Sequence, residues 1–344
     1  MNLSAAVWSR QGFTVCEVDE PTLAEGELLV AVELATVCGS DLHTVAGHRI
    51  TPLPTVLGHE AVGHVVAAGA GAPAAIGDRV VWTIGTSCGA CVRCRAGIPQ
   101  KCVAAVKYGH AALSDRWSLN GSFATHVHLL SGTGVVPVPD DLAAAVLAPA
   151  GCATATVTCA VRRAEMRPGE TVVVLGCGML GMTAVAYALD RGAATVIACD
   201  PNPVRRAGAA ELGATVVCDP AELDDASAAH DVDVVLEMSG HPDSVAGALR
   251  VVGIAGRVVL VGSVFPGPGV LIDPEFMVRN LVSMIGSHNY AFRDLIEAVD
   301  FLRRTPMQAR LAALVSTPVP LTDIETAFAM AAAETHPRVG IIPA

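Results

Sequence analysis

The sequence predicts an α/β molecule in two parts: a doubly wound parallel sheet of six strands, and a separate strand-rich, barrel-like domain. Three observations predict it. At 344 residues the chain exceeds what one hydrophobic core usually organises. Up to about residue 145, short alternating apolar runs are broken by Gly and Pro, the pattern of a strand-rich domain. After Arg167-Pro168-Gly169-Glu170, β-branched apolar runs alternate with Ala-rich helical stretches, as in a parallel sheet covered by helices on both faces.

Taken in order, the first twelve residues open a strand hairpin, and Leu28–Val32 and Asp78–Trp82 read as further strands of the same domain. The stretch Leu142–Val161 carries no charge, but it is mostly Ala and Thr and is interrupted by Pro149 and Gly151. It therefore reads as core at a domain junction, not as a membrane span. Six strands follow: Thr171–Leu175, Thr195–Cys199, Thr215–Cys218, Asp233–Glu237, Arg257–Gly262 and Leu281–Gly286. From Ser287 onward a helix over Asp294–Arg303 and a late strand at Val339–Ile342 return to the first domain. The expected boundaries are 1–150 with 287–344, a metal-binding lobe near 85–105, and a nucleotide-binding domain over 151–286.

Composition narrows the function. With 52% hydrophobic and 16% charged residues the chain has ample material for burial, which excludes a disordered segment. A net charge of −11 provides no sequence-wide field for nucleic acid or an anionic membrane, so the expected partner is a small molecule, with room for a local basic pocket. Eleven cysteines without a charged-then-apolar leader point to a reducing, cytoplasmic setting and to thiolates kept for metal.

Gly176-Cys177-Gly178-Met179-Leu180-Gly181 lies between a strand ending at Leu175 and a helix over Met182–Leu189. In that context the glycines permit a tight turn and a close approach of backbone to a pyrophosphate on the helix N-terminus, the fingerprint of a Rossmann domain. Asp200 ends the second strand, where a carboxylate accepts the ribose hydroxyls and repels a 2′-phosphate, so NAD is expected over NADP. Arg205 and Arg206 follow closely and soften that repulsion.

Two groups of metal-ligand residues precede this loop. Cys88, Cys91, Cys94 and Cys102, at C-x2-C-x2-C-x7-C, form a closed four-sulfur set suited to a structural zinc, with an iron–sulfur group as the weaker alternative. Cys38, His59 and Cys152 offer two thiolates and one imidazole, which leaves a fourth position open, as a catalytic zinc requires.

With these motifs the chain resembles the zinc-dependent medium-chain alcohol dehydrogenases from about residue 3 to the C-terminus, Cys38 and His59 standing 21 residues apart as in that family. The resemblance implies a GroES-like catalytic domain, two zinc ions per subunit, NAD, and an alcohol oxidised to an aldehyde or ketone. It implies Cys38, His59 and Cys152 as catalytic ligands and Glu60 as an alternative fourth. Asp41 would orient the ligand histidine, and Ser40 and His43 would pass the hydroxyl proton to water. Gly262 joins the cofactor-binding set. The family forms dimers and tetramers, usually through an edge strand expected near Val258–Val261.

Segments such as Pro99-Gln100-Lys101-Cys102, Lys107-Tyr108-Gly109-His110 and Ser287-His288-Asn289-Tyr290 resemble a subgroup associated with phosphonate catabolism. By that resemblance Arg49 and Ile84 face the substrate, with Lys107, His110 and Arg116 as secondary candidates for binding an anionic group. The leading expectation is a hydroxy compound with an anionic group, such as a hydroxyalkylphosphonate; a polyol or amino-alcohol substrate is the alternative. A non-catalytic NAD(H)-binding scaffold is the third reading, and the complete set of Cys38, His59, Cys152, Ser40 and His43 opposes it. Cys16, Cys159, Cys177, Cys199 and Cys218 read as small buried hydrophobes.

Overall fold

A computed structural model describes residues 2–343. The chain divides into two compact units. The first takes the residues up to Cys152, Ala291–Arg304 and the segment from Leu311 on; the second takes Ala153–Tyr290 and Thr305–Arg310. The division thus falls a few residues later than the sequence suggests at each crossing, and Thr305–Arg310 joins the second unit. There Arg310 pairs with Glu211 at 2.5 Å.

In the first unit, strands β1 (Leu3–Ser9) and β2 (Gly12–Val18) form the expected hairpin, in register from Leu3↔Val18 to Ser9↔Gly12. Strand β3 (Leu28–Val37) lies inside the second sheet. After the short β4 (Thr55–Val56), which pairs with β1, come β5 (Ala61–Ala68), β6 (Arg79–Thr86), β7 (His126–Leu129) and β8 (Thr133–Pro137). β3 pairs with β5 and β7 and also with the returning strand Val339–Ile342, so it is shielded on most sides. That explains its nearly continuous burial, where a half-exposed strand would alternate. Leu28, Leu29, Val30, Trp82, Phe123 and Leu129 are among the core residues of this unit.

The second unit holds six parallel strands: β9 (Thr171–Leu175), β10 (Thr195–Cys199), β11 (Val216–Cys218), β12 (Val234–Glu237), β13 (Arg257–Leu260) and β14 (Ser283–Gly286). Their order is β11-β10-β9-β12-β13-β14. The chain therefore works outward from β9 to one side, then crosses to the other. The reversal between β9 and β12 opens the crevice where such sheets take their ligands. All six expected strands are present. The last begins two residues late because Leu281 adopts φ +55, which L side chains in a strand do not.

Two expectations need correction. β13 pairs on both sides, with β12 and β14, so Val258–Val261 is interior and the free edges of the sheet are β11 and β14. Cys16 is exposed on β2 and is not a core residue, because β2 is an edge strand of its sheet; Cys159, Cys177, Cys199 and Cys218 are buried as expected. Among the described residues no single helix is long and apolar enough to cross a membrane. The uncharged stretch Leu142–Val161 is broken into the short helices Ala144–Leu147 and Ala148–Gly151 and the helix Ala153–Arg163.

Candidate active site and metal centres

Cys38 follows β3 and caps the N-terminus of the helix Gly39–Val45. Asp41, three residues on, accepts the Cys38 backbone N–H at 2.9 Å and fixes that turn. The other Asp41 oxygen accepts the Gly58 N–H at 3.3 Å and lies 3.5 Å from His59 Nδ1. One fully buried carboxylate thus ties both ligand loops together. The 3.5 Å separation is beyond good hydrogen-bond geometry, and among the described residues Nδ1 has no hydrogen-bond partner, so the contact is electrostatic. It nevertheless turns the ring so that Nε2 faces the Cys38 side, where Ser40 Oγ stands 3.3 Å away.

The donor atoms of Cys38, His59, Glu60 and Cys152 lie within 4.8 Å of one another, close enough for one ion. Their electrostatics suit a cation. Burial works against a charged His59, but Asp41 and the Cys38 sulfur outweigh it and hold the ring's pKa up at about 10. Hydrogen bonding from Cys152, and then the Arg338 charge, pull the Cys38 thiol well below its ordinary range. A pocket that stabilises both a thiolate and an imidazolium is one in which a divalent ion can replace protons. Two sulfurs, one imidazole and an orienting carboxylate fit catalytic zinc, with water or substrate in the remaining position.

Glu60 takes part in a contact that no motif in the sequence anticipates. Arg338 donates from Nε to Oε2 at 2.7 Å and from Nη2 to Oε1 at 2.9 Å, while Thr36 Oγ1 donates to Oε2 at 2.6 Å. Arg338 Nη2 also lies 3.5 Å from Cys38 Sγ. Both members of the ion pair are buried. Arg338 stands alone before a late apolar strand, 278 residues from Glu60, with no motif around it. Its only sequence signal is that an arginine introduces a core strand.

His43 lies one helical turn beyond Ser40, and its Nδ1 meets His48 Nδ1 at 3.4 Å. Arg49 donates its backbone N–H to His43 O at 3.1 Å, and its Nη1 lies 3.3 Å from His110 Nε2. Ile84, on β6, accepts the Tyr108 N–H at 3.0 Å and so borders the Lys107–His110 segment. The structure therefore brings Arg49, Ile84, Lys107 and His110 together, and His110 stacks 5.0 Å from His59. Arg116 does not join them: Glu27 holds its guanidinium at 2.5 Å, with His128 on the same carboxylate.

Cys88, Cys91, Cys94 and Cys102 also converge within 4.8 Å. Cys91 and Cys102 sulfurs are 3.9 Å apart, near the edge of a tetrahedron with Zn–S of about 2.3 Å. Backbone N–H groups of Cys88 and Ala104 point at Cys102 Sγ, and that of Cys94 at Cys91 Sγ. Such donors favour thiolates, and they bring the Cys91 thiol down to about 6. The residues fit a second, closed zinc site.

In the second unit, Gly176 takes φ +91, and a Cβ there would strike Ser239 at 2.8 Å; a Cβ on Gly181 would meet Gly176 O at 1.8 Å. A Cβ on Gly178, by contrast, would enter open space at the start of the helix Met179–Asp190. Tight packing behind and room in front are what a bound pyrophosphate needs. Met179 is buried in the helix, Leu180 is half-buried, and Gly262 packs directly on Gly240. Asp200 already accepts the Cys177 N–H at 2.7 Å and the Asn202 N–H at 2.8 Å, with Arg205 at 3.9 Å. Asp200 thus builds the loop, and each of its oxygens keeps a second lone pair that a ribose hydroxyl could use.

Residues 24–140 match the alcohol dehydrogenase GroES-like domain, and residues 180–304 match the zinc-binding dehydrogenase domain. An alcohol dehydrogenase of Geobacillus stearothermophilus is 32% identical over 86% of each chain. The chain belongs to the zinc-type medium-chain alcohol dehydrogenase family. An L-threonine 3-dehydrogenase of Streptomyces coelicolor is 30% identical over 93% of each chain, and a Bacillus subtilis sorbitol dehydrogenase 29% over 84% of this chain and 83% of its own. Among solved structures, an alcohol dehydrogenase of Thermotoga maritima matches with TM-score 0.93 at 26% identity over the whole of both chains. A zinc-binding dehydrogenase of Sinorhizobium meliloti bound to NADP matches with TM-score 0.86 at 28% identity, again over both whole chains. The protein is accordingly an oxidoreductase with a GroES-like domain and a Rossmann-type sheet, and its cofactors are zinc and a nicotinamide dinucleotide.

Proposed function

We propose that the protein oxidises the hydroxyl of a small alcohol to a carbonyl with NAD, and that Cys38, His59 and Cys152 hold the zinc at which this occurs. The observation that carries the reading is the buried donor set within 4.8 Å, with Ser40 Oγ 3.3 Å from His59 Nε2. When bound, zinc supplies Lewis-acid polarisation of the substrate oxygen and the nicotinamide supplies the hydride acceptor. The chain's own residues do the rest. Asp41 fixes the His59 ring and both ligand loops. Ser40 Oγ takes the hydroxyl proton, and His43, with His48 beside it, passes a proton to solvent. Arg338 holds the Glu60 carboxylate by two hydrogen bonds. Cys88, Cys91, Cys94 and Cys102 hold a second zinc that ties down a segment otherwise poor in core residues.

For the cofactor, Asp200 supports NAD, with Arg205 near enough to reduce the discrimination against NADP. For the substrate, the cationic side chain of Arg49 close to the donor set supports a hydroxy compound with an anionic group, a hydroxyalkylphosphonate being the form suggested by the sequence. The sorbitol and threonine dehydrogenases among the relatives favour a second reading, a polyol or amino alcohol. The free edge of β14 supports a homodimer or homotetramer, and the reduced thiols support a cytoplasmic setting. The test is NADH formation by zinc-loaded protein from alcohols of each class. Alcohol-dependent NADH formation that requires the metal is expected, and no turnover of any class with either NAD or NADP overturns the reading.

A further inference from the structure

One buried ionisable group takes no part in the chemistry above. Glu237 ends β12 with 0% exposure, in register with Leu175 on β9 and Leu260 on β13. Leu175 is the residue before the Gly176 turn, so Glu237 stands at the crevice where the strand order reverses. Its side chain collects donors. Oε1 accepts the Ser239 N–H at 2.8 Å, the Gly240 N–H at 2.8 Å and the Ser239 hydroxyl at 2.6 Å, and Ser263 Oγ lies 3.5 Å from Oε2. An ionised carboxylate only accepts, and three donors on one oxygen suit that form. All of these partners are neutral, and among the described residues no lysine, arginine or histidine pairs with Glu237.

The same residue fixes two loops. Its carboxylate orders Ser239 and Gly240 after β12, and its backbone carbonyl accepts the Val261 and Gly262 N–H groups after β13, at 2.9 and 3.0 Å. Ser239 in turn bounds the Gly176 turn, and a Cβ on Gly240 would meet Gly262 O at 2.5 Å. The loops that border the crevice on this side are thus held to Glu237. With Asp200 on β10 read as the ribose partner of the adenosine half, the half of the sheet built on β12 to β14 is left to the nicotinamide nucleotide. A full negative charge, desolvated and without a counter-ion, therefore sits under that half. In such surroundings a charge acts over a longer range than it does in water.

We propose that Glu237 biases the protein toward the oxidised dinucleotide: its buried charge favours NAD+, whose nicotinamide ring is cationic, over NADH, whose ring is neutral. The proposal rests on the nicotinamide-cofactor reading and adds to it a residue that sets the balance between the two forms. The pyrophosphate carries the same charge in both, so only the ring tells them apart. Glu237 thereby stabilises the complex from which alcohol oxidation starts. Removing its charge weakens NAD+ selectively, and the equilibrium between the bound forms moves toward NADH.

The test measures dissociation constants of NAD+ and NADH, with the NADP pair alongside, for the zinc-loaded wild type, Glu237→Gln and Ser239→Ala. Fluorescence follows the reduced form, and displacement of that form reports the oxidised one. Glu237→Gln keeps the size of the side chain and an acceptor for the Ser239 and Gly240 N–H groups, and removes the charge. It should raise the ratio of the NAD+ to the NADH dissociation constant about fivefold or more, nearly all of it through weaker NAD+. Ser239→Ala keeps the charge and loosens the loop, so it should leave that ratio within about twofold. An unchanged ratio in Glu237→Gln, equal weakening of both forms, or the same shift in Ser239→Ala makes the carboxylate a structural one and overturns the proposal. Should Glu237→Gln not fold, Ser263→Lys at an exposed position brings a cation toward Oε2. It should raise the ratio in the same direction, and an unchanged ratio there overturns the proposal too. Failure of the wild type to bind any of the four dinucleotides overturns the cofactor reading itself and the proposal with it.

Discussion

Replacing Arg338 with methionine tests the buried ion pair behind the donor set. The substitution keeps an apolar stem and removes both hydrogen bonds to Glu60, at 2.7 and 2.9 Å, leaving only the Thr36 hydroxyl on a carboxylate with 0% exposure. Removing one partner of such a pair costs about 3–5 kcal/mol, because the other charge stays buried without compensation. Burial already raises the Glu60 pKa although Arg338 opposes it, so the variant's Glu60 must be raised further. A carboxylate whose folded pKa lies above its unfolded one loses stability as pH rises through that window. The defect should therefore be larger at pH 7 than at pH 5. Urea unfolding of the zinc-loaded proteins at both pH values measures it, and the double variant Glu60→Gln with Arg338→Met, which buries no charge, should recover most of the loss. A single variant within about 1 kcal/mol of wild type, or a double variant no better than the single, would refute the reasoning.

Cys152→Ser should abolish turnover while NADH affinity, measured by fluorescence, stays near wild type; unchanged turnover removes Cys152 from the metal. Cys94→Ser should lose one equivalent of zinc by elemental analysis and unfold at lower temperature, and retention of both zincs refutes the cage. Asp200→Gly should shift preference toward NADP in kcat/KM. It should also cost about 1–3 kcal/mol, since the Cys177 and Asn202 N–H groups lose their acceptor.

Much of the molecule was legible in the sequence because its signals are local. The strands β9 to β14 are apolar runs between helical stretches, and each was found to within one or two residues. The cage spans fifteen residues, and its spacing alone implies convergence on one ion. Gly176, Gly178 and Gly181 follow a strand and open a helix, so their roles come from backbone geometry that any sequence with those residues must share. Cys38, His59 and Cys152 lie farther apart, so their chemistry marks them as candidate ligands, but only the fold brings their donor atoms within 4.8 Å of one another.

Tertiary structure decided what depends on side chains meeting across long separations. No periodicity links Arg338 to Glu60, yet their ion pair lies against the donor set. Arg49, Lys107 and Arg116 are equivalent cations in the sequence, but the fold gives Arg116 to Glu27, sets Arg49 beside His110, and among the described residues pairs neither Arg49 nor Lys107 with a carboxylate. The choice of edge strand was settled by strand order, which puts β13 between β12 and β14. Local sequence fixes backbone conformation and short-range ligand spacing, because those energies are set within a few residues. Which charges are neutralised and which are left for a ligand depends on the whole chain packing at once.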